Sequence, residues 1–150
     1  MAITSTQREC ERWIVENWLP IKFGCTFKKE KLKMQGRGKF EFDAVNKERE
    51  IVINISTASA KTYSGHIGSG KKSKLRADSL MLSLVLAKEK ILILTESCMH
   101  SLAIDEQIAG RLPLDIKIIL VELPNELRQK LAVAKENAAR ELTSDLVKGI

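Results

Sequence analysis

Apolar and polar positions change period several times along this chain. Cys10, Trp13, Ile14 and Trp18 recur at helical intervals, with Thr6 and Glu9 ahead of them at capping-box spacing. A first helix is therefore predicted up to about Leu19, with Pro20 stopping it. Between Phe27 and Gln35, Leu32 and Met34 alternate with lysines, which predicts a strand whose alternation lapses over Lys28 to Lys31. Gly36-Arg37-Gly38 marks a turn. The run KFEFDAVNKEREIVINIST, Lys39 to Thr57, is two alternating segments around a polar turn and predicts a β-hairpin. A loop of Ser, Thr, Gly and Lys is expected from Ala58 to Ser73. Lys74 to Leu86 is apolar on most sides, which predicts a largely buried helix. Ile91 to Leu94 and Ile116 to Val121 predict short buried strands, with a helix between them over Ser97 to Leu112. Pro124 sits in the first turn of a final helix whose apolar side carries Leu127, Leu131, Ala138 and Leu142, a stripe that suits either the core or a dimer seam.

The predicted order is α, three strands, α, β, α, β, α. Hairpin-connected strands come first, followed by β units joined through helices. An α/β fold results, a three-layer sandwich around a central mixed sheet of about five strands. Residues 1–150 read as one domain, without an internal repeat or linker.

Parity sharpens the hairpin. Phe40, Phe42 and Ala44 are expected on one face, with Ile51, Ile53 and Ile55 beside them. That pairing puts Glu41, Asp43, Asn54 and Ser56 together on the opposite face in any register that keeps phenylalanines against isoleucines. The acids read either as a partly solvated face beside a turn or as a site.

Charge narrows the partners. Lysine and arginine number 25 against 19 acids, a formal net charge of +6, which favours polyanionic partners such as nucleic acid or an anionic membrane surface. No run approaches the roughly 20 apolar residues of a membrane helix, and the N-terminal stretch does not read as a signal peptide. Cys10, Cys25 and Cys98 are odd in number and widely spaced, which suits a reducing cytoplasm without a disulfide framework or zinc knuckle. Cys98 and His100 alone make no metal site.

Other features of the chain admit plainer readings. Gly65, Gly70 and Lys71 fit the start of a phosphate loop, but Lys72 stands where Ser or Thr belongs and no parallel βαβ unit precedes it. The same loop, with Lys61, Lys71, Lys72 and Lys74, reads as a phosphate contact or as a solvated loop, and His66 in it reads as a surface residue. Lys28, Lys29, Lys31 and Lys33 read as a solvated strand edge, extended by Arg37 and Lys39 towards Asp43. Trp13 and Trp18 share the helical stripe of Ile14, which favours a place in the core over a base-stacking platform.

From Thr6 to Val121, the order α-β-β-β-α-β with Asp43 inside the second strand resembles the PD-(D/E)XK nuclease superfamily, the restriction-endonuclease-like fold. The resemblance implies that the second-strand acid and an acid on the third strand hold Mg²⁺, and that a lysine two residues on assists the attacking water. Phosphodiester hydrolysis needs negative ligands for a hard cation and positive charge where the phosphorane forms. Asp43 matches the first acid. Asn54 stands in the slot of the second and Ser56 in that of the lysine. Such groups migrate in some members of the superfamily. Candidates here are Glu41 or Asp78 for the acid and Lys71, Lys72 or Lys74 for the cation. Lys74 and Asp78 are four apart, so they also read as an ion pair in the first turns of a helix, where an acid is welcome. The resemblance implies a nucleic-acid-binding domain, catalytically divergent or inactive, with DNA favoured over RNA. Arg37, Lys61, Lys71, Lys72 and Lys74 are its phosphate-contact candidates. If it is an enzyme, it is a metal-dependent endonuclease or exonuclease, and a homodimer is compatible with the resemblance. A regulatory or protein-interaction domain without nucleic acid is the rival from another class.

Overall fold

The computed structural model describes residues 2–36, 38–60 and 69–148. Arg37, Lys61, Gly65 and His66 lie outside the described residues. The elements are α1 (Ala2–Trp13), a π-helical segment (Ile14–Trp18), α2 (Leu19–Phe23), β1 (Phe27–Lys33), β2 (Lys39–Asn46), β3 (Ile51–Ser56), α3 (Ser69–Leu84), β4 (Glu89–Leu94), α4 (Ser97–Ile108), β5 (Ile116–Leu120) and α5 (Asn125–Lys148). One five-stranded sheet runs β1-β2-β3-β4-β5. The β1–β2 and β2–β3 pairs are antiparallel, and the β3–β4 and β4–β5 pairs are parallel. The α/β class and the mixed sheet follow the sequence pattern.

The two parallel crossovers advance in the same direction, and right-handed connections then place α3 and α4 on one face. There Leu75, Leu82, Met99, Leu102 and Ala103 pack on Phe42, Val45, Val52, Leu92 and Leu94. On the opposite face Cys10, Ile14, Leu19 and Leu131 pack on Ala44, Ile53, Ile55, Ile91 and Ile93. β4 is covered on both sides, so Ile91 to Leu94 are all buried. The tryptophans and Leu127 pack against the second cluster, which makes the α5 stripe around Leu127 and Leu131 core rather than seam.

Pro20 does not stop the first helical run. It has no N–H, and in a regular α-helix its ring meets the carbonyl four residues back. The preceding π-helical segment widens that turn, with the Leu19 amide donating to the Ile14 carbonyl. The run ends instead at Gly24, whose left-handed φ of 70° lets its amide reach the Pro20 carbonyl at 2.8 Å. Thr6 lies inside α1 and is not its cap.

The hairpin departs from simple parity. Lys28 pairs with Val45 but Glu30 pairs with Phe42, so Lys29 faces both Asp43 and Ala44. β2 therefore carries one extra residue, a β-bulge. Ala44 lies with Ile53, as expected, but Phe42 and Phe40 pack on the opposite face with Val52 and Leu92. The predicted face of Glu41, Asp43, Asn54 and Ser56 is thereby divided. Glu41 pairs with Lys31 on the α1 side, and Asn54 turns to α3.

α3 begins at Ser69, so Gly70 and Lys71 lie in its first turn and not in a phosphate loop. It is not largely buried either: Leu75, Ser79 and Leu82 face the sheet while Leu80 is 50% exposed. Glu106 of α4 is buried and receives Arg76 of α3 at 2.9 Å and Arg111 at 3.3 Å, which ties the two helices together. No helix among the described residues is long and apolar enough to cross a membrane.

Candidate functional site

β2 and β3 pair only through Ala44–Ile53 and Val45–Val52, then part at Asp43. Into that gap goes the Asp43 carboxylate, whose Oδ2 accepts the Ile55 amide at 2.7 Å. A bond to a charged acceptor contributes about 1.5–3 kcal/mol, and here it takes the place of a ladder bond. The side chain is thus held at the mouth of the sheet, half-buried. Burial pushes its carboxyl up; the Ile55 amide and Lys29 oppose that rise, Asp78 adds to it and Lys74 opposes it.

Across the gap stands Glu11 of α1. Burial, then the charge of Asp43, pushes its carboxyl up to about 7, against the opposing charges of Lys29, Lys74 and Arg8. Glu11 and Asp43 share a cleft of about 250 Å³ with Arg8, Arg12, Val15, Glu16 and Lys29. Three acids and three cations thus line this cleft, and Glu11 and Asp43 are the acids whose charges act on each other there. Both feel Lys74, which belongs to the opposite helical layer.

On the α3 side, Lys74 Nζ meets Asp78 Oδ2 at 3.4 Å. Because α3 starts at Ser69, Asp78 lies in its third turn, beyond the favourable end of the helix dipole. Burial raises its carboxyl, opposed by the charge and hydrogen bond of Lys74. The lysine is 66% exposed, so the pair contributes about 0.3–0.5 kcal/mol. Ser56, Lys71, Lys74 and Asp78 line a small pocket of about 40 Å³ with Ala58, Leu75 and Met99.

Asn54 and Ser56 serve local structure. Buried Asn54 sends its amide towards the Asp78 carbonyl at 3.4 Å. Ser56 Oγ accepts the Ala58 amide at 3.3 Å and shapes the exit from β3. Glu41 is exposed beside Lys31, away from the cleft. Lys72 lies on α3, where its charge acts on Glu106. Among the described residues, no three His, Cys, Asp or Glu side chains stand close enough to share one ion.

The structure thus gathers Asp43, Lys74 and Asp78 within electrostatic reach, and it adds Glu11, Lys29, Arg8 and Arg12. Sequence reasoning missed those four. Lys29 had a signal, because it lies on the same face as Lys31 and Lys33 opposite Asp43. Glu11 had a weaker one: it flanks the Cys10–Ile14 stripe that seats α1 on the sheet. Comparison of the chain with protein-family profiles, with curated proteins and with solved structures finds no match in any of the three.

Proposed function

We propose that this chain is a nucleic-acid-binding domain of the restriction-endonuclease-like type with a divergent active site. The observation that carries the reading is the Asp43 cleft: an acid fixed where two strands part, at the mouth of a mixed sheet, with Arg8, Arg12 and Lys29 around it beside the acids Glu11 and Glu16. Cations around a focal acid suit a phosphodiester backbone brought to one point. The element order, with β3 and β4 parallel after an antiparallel meander, supports the same assignment. The test is binding to single- and double-stranded DNA and RNA across a salt series. Affinity that falls steeply with salt is expected; no binding to any of them at low salt sinks the reading.

A second reading, an active Mg²⁺-dependent nuclease, is favoured by Glu11. Two carboxylates, one of them raised first by burial and then by the charge of the other, gain from a divalent cation, and Mg²⁺ is commonly held by one or two carboxylates with water completing its shell. Glu11 and Asp43 are the residues that would hold it, and bound there it supplies Lewis-acid charge to a phosphoryl oxygen. Lys29 and Lys74 are the cations nearest to hand in electrostatic effect. Cleavage with Mg²⁺ or Mn²⁺, lost in both Glu11→Gln and Asp43→Ala, is the expected result for the enzyme. Cleavage that survives both substitutions assigns it to another site or a contaminant.

A further inference from the structure

The lysines of β1 have an arrangement that a solvated edge does not require. Leu32 pairs with Phe40 and Glu30 with Phe42, and Leu32 and Phe42 are buried in the core under α3 and α4. Lys31 pairs with Glu41 and Lys33 with Lys39, so these four stand on the other face, and all are exposed. Lys29 precedes them in the same row and enters the Asp43 cleft. Helical cover on that face ends near Phe27 and Ala44. The remainder is an open platform of Lys29, Lys31, Lys33 and Lys39 with Glu41 as its acid.

Alternate residues of a strand stand about 6.7 Å apart, so Lys29, Lys31 and Lys33 leave β1 as a row of nearly even spacing. Such a row can follow successive phosphates of one backbone. The platform also lacks something. β1 and β2 put no open aromatic ring on it: Phe40 and Phe42 face the core with centroids 4.9 Å apart, and Phe27, on the platform's own face, is buried against Phe23 under the helices. Proteins that hold single strands lean on aromatic rings for base stacking. Lysines without rings grip phosphate and leave bases alone. Duplex nucleic acid, whose bases are already stacked, is the partner that matches this chemistry.

Building on the nucleic-acid reading above, we infer that the β1–β2 platform grips the sugar-phosphate backbone of one strand of a duplex, without reading sequence, and leads that strand to the Asp43 cleft. The lysine row sets the direction of approach, and Lys29 is where the row meets the site.

The test compares wild type, Lys31→Ala/Lys33→Ala and the control Lys117→Ala, which removes an exposed lysine from the opposite edge strand. Each is titrated with a 20-base-pair duplex of two unrelated sequences and with the corresponding single strands, at about 50 and 200 mM salt. Two lost phosphate contacts lower the salt slope by about 2, so wild type should lose about tenfold more duplex affinity across that range than the double variant. The effect should be equal for both sequences, and Lys117→Ala should behave as wild type. Tighter binding to single strands, or duplex binding whose slope the double variant leaves unchanged, overturns this inference while the nucleic-acid reading stands. No binding to any probe by wild type overturns both.

Discussion

Asp43 Oδ2 accepts the Ile55 amide at 2.7 Å, and this bond takes over at the point where β2 and β3 cease to pair. The carboxylate is structural before it is anything else. Asp43→Asn keeps an oxygen in the same place and is expected to fold with stability equal to or above wild type at pH 8, since it removes a buried charge. Asp43→Ala leaves the buried Ile55 amide without a partner and should cost about 1–3 kcal/mol. Urea unfolding of the two variants decides it: equal midpoints for Asn and Ala mean the bond contributes nothing.

Glu11 makes stability fall with rising pH. Its folded carboxyl titrates near 7, above the usual 4.5, so the folded state binds the proton more tightly. The stability this gives is fully present below 4.5 and is lost as pH rises through 7. Asp43, also raised, adds a loss of the same sign. Between pH 5 and 8, wild type should lose on the order of 1–3 kcal/mol relative to Glu11→Gln, allowing for partial solvent screening. Parallel pH profiles for the two proteins would falsify the coupling.

Glu106 behaves in the opposite sense. Burial alone would raise its carboxyl, but the hydrogen bond and charge of Arg76, with Arg111, outweigh it and hold the group below its ordinary value. Its stabilisation is present above 4.5 and is lost as pH falls through the lowered value. Glu106→Gln gives up charge-assisted bonds to both arginines and should cost about 2 kcal/mol at neutral pH, with a smaller penalty in acid. Thermal unfolding at pH 7 and pH 4 reads both numbers, and a penalty that does not shrink in acid contradicts the assignment.

Gly24 ends the first helical run with φ at 70°, and nothing stands within 4 Å of where a Cβ would go. Gly24→Ala therefore meets backbone strain without a clash and should cost about 1 kcal/mol. A larger loss by calorimetry would mean that the turn is tighter than its surroundings allow.

The sequence carried the element order and the mixed sheet because both are written in period: helical stripes in α1 and α5, unbroken apolar runs in β4 and β5. It did not carry the site to the same depth. Phe40 to Val45 alternates smoothly, and nothing in FEFDAV marks a doubled residue, so the bulge that sets Ala44 beside Asp43 and apart from the phenylalanines left no trace. Pro20 is a stop signal in an ordinary helix, and only the widened turn before it permits continuation. Glu11 is remote from Asp43 along the chain, and the two meet because Cys10 and Ile14 seat α1 over β2. Asn54 and Ser56 were legible as departures from an acid and a lysine. Their local duties, to α3 and to the exit of β3, were not.

The extra residue at Asp43 and Ala44 has a consequence for how this chain is compared with any other. Upstream and downstream halves of β2 obey opposite phase, so letters counted between Asp43 and Asn54 no longer measure a place in space. The same letters paired without a bulge would turn Asp43 to the α3 layer while aligning with no gap at all. Kinship with this protein is therefore better sought by superposing ladders than by matching motifs.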